Sequence, residues 1–171
     1  SEGKGLLRSI DNGKTWSNAA ISEEPRTRFP GEILDIAAHP RNPDVLFLGT
    51  KGQGLWKSET AGASWKRMSD PAGMLRNQSD VYRIGVSPVQ PETIYIAAFQ
   101  ENRGRVFRSN TGGAAFRQIY EVSQNRFGVF DLWADPADSN RVLIITGEGG
   151  LLETRNGGES WRSVRWFGEA L

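Results

Sequence analysis

No cysteine occurs in the 171 residues, so disulfide staples, thiol catalysis and thiolate-bound metals are excluded. A single histidine, His39, rules out a multi-histidine metal site within one chain. Neither sign of charge dominates. Lys plus Arg number 21 and Asp plus Glu 20, so electrostatics gives no ground for expecting DNA, RNA or an anionic membrane as the main partner. No apolar run approaches the roughly 20 residues that a membrane helix needs, and no segment has helical periodicity. No signal-peptide pattern follows Ser1; the expectation is a removed leader or a piece of something longer. Glycine (20) and tryptophan (6) are plentiful, as in a turn-rich, aromatic-packed β protein.

One octapeptide recurs. Ser9-Ile-Asp11-Asn-Gly13-Lys-Thr-Trp16 is echoed by Ser58-Glu-Thr60-Ala-Gly62-Ala-Ser-Trp65, by Ser109-Asn-Thr111-Gly-Gly113-Ala-Ala-Phe116 and by Thr154-Arg-Asn156-Gly-Gly158-Glu-Ser-Trp161. Between these stretches lie short apolar runs ending in Pro40, Pro88 and Pro136, then Val45–Leu48, Thr93–Ile96 and Val142–Ile145, then Gly54–Lys57, Arg105–Arg108 and Gly150–Glu153. Runs rich in β-branched and aromatic residues, bounded by Pro, Asn, Asp and Gly, read as strands. Four antiparallel strands in a unit of about 48 residues make one blade of a β-propeller. The expected fold is therefore all-β, with about three and a half four-stranded blades. Residues 1–30 supply the half blade, and the full blades cover about 31–79, 80–126 and 127–171. The set is expected to be an incomplete part of a ring of six to eight blades. The missing blades would come from elsewhere in the same polypeptide or from a second copy, because bare blade faces and edges invite aggregation.

The chemistry of the octapeptide is that of a hairpin. Asp11 can accept backbone amides ahead of it, Gly13 supplies a positive φ, Ser9 adds a hydroxyl, and Trp16 is expected to project between blades. Asn156 can replace the aspartate, whereas Thr60 and Thr111 are expected to do so weakly. The pattern S-x-D-x-G-x-x-W resembles the Asp-box of BNR-repeat propellers, a family that includes sialidases, xyloglucanase-type hydrolases, sortilin-type receptors and photosystem assembly factors. The resemblance implies a structural role for Ser9, Asp11, Gly13, Trp16, Ser58, Gly62, Trp65, Ser109, Gly113, Phe116, Thr154, Asn156, Gly158 and Trp161. It also implies an extracytoplasmic location, secreted or periplasmic.

Two groups of residues are candidates for function. Asp35, Arg83 and Asp131 align on the innermost strands of three blades. They read either as an inter-blade ion ladder or as a weak catalytic set in which one carboxylate is a general acid or base. Glycoside hydrolysis needs two carboxylates at a defined separation. The second group lies on loops that open on one face: Arg26, Arg28, Phe29, Arg76, Arg126 and Phe127 between blades, and Glu101 and Arg103 between second and third strands. Arginine beside aromatics suits an anionic or sugar ligand or a protein partner, although acidic neighbours also fit a solvated surface. Tyr82-Arg-Ile-Gly85 departs from the sialidase signature at its last position. Gly147–Gly150 is not a phosphate loop, because no helix follows. His39 is expected to face solvent, and Trp133 to pack locally. No metal or cofactor is expected. The leading expectation is a non-catalytic module that binds a protein partner or the remaining blades in a larger assembly. The alternative is part of a glycoside hydrolase, xyloglucanase- or sialidase-like, or a propeller that binds polysaccharide.

Overall fold

The computed structural model describes residues 6–18 and 32–164. A two-stranded hairpin, β1 (Leu7–Arg8) and β2 (Ser17–Asn18), comes first. Three four-stranded antiparallel sheets follow, each with its strands in chain order. The first holds β3 (Ile33–Ala38), β4 (Leu46–Thr50), β5 (Leu55–Ser58) and β6 (Lys66–Arg67). The second holds β7 (Asp80–Val86), β8 (Ile94–Gln100), β9 (Arg103–Ser109) and β10 (Arg117–Glu121). The third holds β11 (Val129–Ala134), β12 (Val142–Thr146), β13 (Leu151–Thr154) and β14 (Arg162–Ser163). No helix occurs among the described residues. These are consecutive propeller blades, with first strands β3, β7 and β11 lying next to one another.

Each turn from first to second strand closes in the same way. His39, Ser87 and Asp135 donate their amides to the carbonyls of Val45, Thr93 and Arg141 at 3.0 Å in all three sheets. The proline that follows each of them has no N–H to leave unsatisfied. The His39 ring is half-buried and caps its turn instead of facing solvent freely: Nδ1 accepts the Arg41 and Asn42 amides at 3.2 and 3.0 Å. Asp135 accepts the Ala137 amide at 2.8 Å at the equivalent place.

The core lies between sheets. Phe47 and Leu55 of the first sheet pack against Val81, Ile84 and Ile94 of the second and against Phe116 of its last hairpin. Tyr95, Val106 and Ile119 of the second pack with Val129, Val142 and Ile144 of the third. Sheet spacing depends on small residues. A Cβ at Gly49 would enter the van der Waals shell of the Val81 carbonyl, and one at Gly104 would sit 2.5 Å from the Val129 nitrogen.

All four octapeptides form the same hairpin. The first-position hydroxyl accepts the amide of the fifth-position glycine at 2.8 Å (Ser9–Gly13), 2.9 Å (Ser58–Gly62), 3.0 Å (Ser109–Gly113) and 2.9 Å (Thr154–Gly158). Those glycines have φ between 80° and 93°, a left-handed conformation that a Cβ penalises. The third-position side chain accepts the amide four residues on: Asp11 from Thr15 at 2.9 Å, Thr60 from Ser64 at 2.9 Å, Thr111 from Ala115 at 3.1 Å, Asn156 from Ser160 at 3.0 Å. The threonines thus make the backbone bond at ordinary length; what they lack is the charge. Asp11 also accepts the Thr15 hydroxyl at 2.6 Å, and the bonds from Thr15 pull its carboxyl down to about 2.

The closing aromatic lies against the preceding sheet. Trp65 is buried with Leu48 and Trp56 against Leu6, and Trp161 donates to the Ile119 carbonyl at 2.9 Å. Trp16 departs from the expected inter-blade position. It is 61% exposed.

Candidate functional site

The loops between sheets and those joining second to third strands form one stitched rim. The Gly54 amide donates to the Ser79 carbonyl at 3.0 Å and the Gly52 amide to Asp80 Oδ1 at 2.7 Å. Gln100 fastens the next segment: its Oε1 accepts the Arg76 amide at 3.1 Å and the Ser79 hydroxyl at 2.6 Å, while Nε2 donates to the Met74 carbonyl at 2.9 Å. The Arg126 amide donates to the Asn102 carbonyl at 2.8 Å, and Glu148 Oε1 accepts the Ser123 hydroxyl at 2.6 Å and the Gln124 amide at 2.8 Å. The Ser123 hydroxyl is the main reason that the Glu148 carboxyl titrates below its usual range.

Along this rim Arg76, Glu101 and Arg103 belong to one chain of ion pairs. Arg76 pairs with Glu101, which also receives Arg105 Nη1 at 2.9 Å. Arg105 Nε reaches Glu121 at 2.6 Å, Arg103 Nη1 reaches the same carboxylate at 2.8 Å, and Arg103 Nε reaches Asn125 at 2.6 Å. The Arg105 bond is the largest cause of the lowered Glu121 carboxyl pKa. These arginines brace loops against one another. Arg126 is exposed, with φ of 70°, and Phe127 is half-buried beside it. Phe127 and Phe130 flank Gly147, with ring atoms 3.0 and 3.2 Å from where its Cβ would be, and Phe130 is 60% exposed. Arg26, Arg28 and Phe29 lie outside the described residues.

On the first strands, the structure builds half of the expected ladder. Arg83 Nε donates to Asp131 Oδ1 at 3.0 Å, and Arg83 Nη1 to the Tyr82 carbonyl at 2.7 Å. Asp35 serves a different donor: its Oδ2 accepts the Ile84 amide of the next sheet at 2.8 Å. The reason is local. Each first strand is irregular at one register, between Ile33 and Asp35, Val81 and Arg83, and Val129 and Asp131. Such a bulge re-aims the side chain after it and disturbs the ladder beside it. The same bulge lets Asp35 and Asp131 accept their following amides, those of Ile36 and Leu132, at 2.9 Å each.

Sequence reasoning passed over Glu121, Arg105, Phe130 and Glu153. Arg103 and Arg105 stand two apart on one strand face, a period-2 pattern that signals an acidic partner opposite. Glu153 is held by Arg141 Nε at 2.7 Å, by Arg155 at 2.9 Å and by Arg162. Trp133 is 49% exposed, with the Arg141 guanidinium 5.7 Å from its ring centre. Among the described residues, no group of three or more His, Asp or Glu is placed to hold a metal.

No protein-family model matches the chain. It is 28% identical over 134 residues to a xyloglucanase, Xgh74A of Acetivibrio thermocellus, a match covering 67% of this chain and 16% of that protein. The chain thus spans about one sixth of the length of this curated relative. Its fold is similar to that of an ancestral GH74 enzyme, with a TM-score of 0.75 at 22% identity, covering all of this chain and 22% of the other. It is also similar to YCF48 from Cyanidioschyzon merolae, with a TM-score of 0.61 at 17% identity, over 79% of this chain and 38% of the other. The chain is a set of propeller blades similar in sequence to xyloglucanases.

Proposed function

We propose that these blades belong to an extracytoplasmic glycan-degrading propeller of the xyloglucanase kind, and that their Asp-box-like hairpins are its structural staples. The observation that carries this reading is the similarity to Xgh74A over two thirds of the chain. The rim of sheet-joining loops is the part offered to a polysaccharide, with the exposed Arg126 and Phe130 and the half-buried Phe127 as its cationic and aromatic side chains. Aromatic faces and arginine donors suit sugar rings and hydroxyls. Asp35 and Asp131 already accept backbone amides, and Asp131 also accepts Arg83. In this reading they join blades, these blades bind glycan, and the bond-cleaving carboxylates stand elsewhere in the assembly. The protein-scaffold reading keeps no observation specific to it.

Affinity electrophoresis in gels containing xyloglucan tests the proposal. Retardation that weakens in Phe130→Ala and Arg126→Ala is expected, without release of reducing sugar by this chain. Mobility equal to that in a glycan-free gel would overturn the binding reading, and cleavage by the isolated chain would overturn the division of labour.

A further inference from the structure

Each four-stranded sheet carries an equivalent cross-strand row. It reads Ala37–Phe47–Lys57–Lys66 in the first, Gly85–Tyr95–Arg108–Arg117 in the second and Trp133–Leu143–Glu153–Arg162 in the third. The last two positions sit directly opposite each other on β5–β6, β9–β10 and β13–β14. Like charges so placed destabilise a sheet unless something accepts from both. The second sheet resolves the conflict with a carbonyl: Gly157 of the next hairpin accepts from Arg108 Nη1 at 3.3 Å and from Arg117 Nη2 at 2.9 Å. The third resolves it with a carboxylate, Glu153 facing Arg162.

The first sheet has neither. Lys57 turns aside to the exposed Glu59 at 2.7 Å; Lys66 donates no hydrogen bond and closes no ion pair among the described residues, its charge acting on Glu59 only at longer range, behind that of Lys57. In place of an acceptor there is a cleft of about 440 Å³, lined by Lys57, Ser64, Lys66, Arg67 and Ser69, with Glu59 as its one carboxylate. Arg67 is held in place there, its guanidinium 5.1 Å from the Trp56 ring centre and Nη2 donating to Gln53 at 2.9 Å. Cations, hydroxyl donors and a concave wall together recognise oxyanions.

We propose that the β5–β6 cleft is an oxyanion-binding site, with Lys66 as principal ligand and Lys57, Arg67 and the Ser69 hydroxyl completing it. The bound anion supplies what Gly157 supplies one sheet on, an acceptor between two facing cations. The site borders the glycan rim at Ser69 and at Gln53, which holds Arg67, but uses none of Arg126, Phe127 and Phe130. Its chemistry fits a phosphate or sulfate, or the carboxylate of an acidic sugar.

The test is titration of the intact chain at fixed low ionic strength, with sodium phosphate and separately with glucuronate, following amide shifts around Ser64–Ser69. Saturable binding is expected. Loss of one charge-assisted hydrogen bond should weaken it about tenfold in Lys66→Ala and in the longer Lys66→Gln, with the amide spectrum otherwise unchanged. Lys14→Ala, on the first hairpin, should bind as the parent does. Saturation by phosphate alone assigns a tetrahedral ion, and saturation by glucuronate assigns a sugar carboxylate. A response that never saturates, that sodium chloride reproduces, or that is as tight in Lys66→Ala as in the parent overturns the proposal.

Discussion

Arg83 and Asp131 join Nε to Oδ1 at 3.0 Å across the junction of two sheets, while Asp35, one sheet earlier at the same register, holds the Ile84 amide instead. The two kinds of junction differ in energy. The Arg83–Asp131 pair is wet, with side chains 42% and 54% exposed, and pairs of this sort contribute about 0.2–1 kcal/mol. Arg83→Ala should therefore lower the unfolding free energy by roughly 0.5 kcal/mol, and less in high salt. Asp35→Ala strips two amides of their acceptor and should cost about 1–3 kcal/mol. Urea denaturation of single and double variants checks both. A coupling between Arg83 and Asp35 as large as that between Arg83 and Asp131 would contradict the geometry.

The closing aromatics of the hairpins are chemically alike and should behave differently. Trp65 is 1% exposed between the first hairpin and the first full sheet, so Trp65→Ala should cost about 3–5 kcal/mol. Trp16 is 61% exposed and keeps only a local bond from Nε1 to the Gly13 carbonyl at 3.1 Å. Trp16→Ala should stay within about 1 kcal/mol. Equal losses on thermal or chemical unfolding would mean that Trp16 is covered in solution.

The strands and hairpins were legible in the sequence because a repeat exposes its own constraints. A glycine at φ of 80–93° leaves few alternatives, and Pro40, Pro88 and Pro136 mark turns whose closing bonds have the same length. The rim was legible in part. Its arginines were visible, but their partners depend on which strand edge faces which, and nothing local to Arg105 announces Glu121. Asp35 and Arg83 looked like an ion pair because their registers match. The bulge that turns Asp35 toward an amide is a backbone event without a residue of its own to announce it.

The threonine hairpins offer a direct measure of the missing charge. Thr60 accepts the Ser64 amide at 2.9 Å and lies 2.9 Å from the Ser64 hydroxyl, the arrangement that Asp11 has with Thr15. Thr60→Asp should fit the same turn and raise stability by about 0.5–1 kcal/mol at neutral pH. The carboxyl will titrate low, as Asp11 does, so the gain should disappear in acid. A variant that is less stable at pH 7, or whose gain persists at pH 2, would show that the backbone bond, not the charge, is what the aspartate contributes.

Glu153 makes the sharpest pH prediction. Its side chain is 4% exposed, and hydrogen bonds from Arg141 and then Arg162 bring its carboxyl from 4.5 down to about 2, with burial opposing them. A carboxyl whose folded pKa is depressed adds stability that is fully present above its unfolded value. That stability fades as pH falls from about 4.5 toward 2, because the unfolded chain takes up the proton first. Protonation there also leaves Arg141, Arg155 and Arg162 facing one another without their common anion. Glu153→Gln should be less stable than the parent at pH 7 and should lose less stability between pH 4.5 and pH 2. The lowered carboxyls of Asp11, Glu121 and Asp135 will leave a residual slope in both proteins. The difference between the two unfolding curves across that window isolates Glu153. If the curves run parallel through it, the carboxylate is not held by its arginines as the geometry requires.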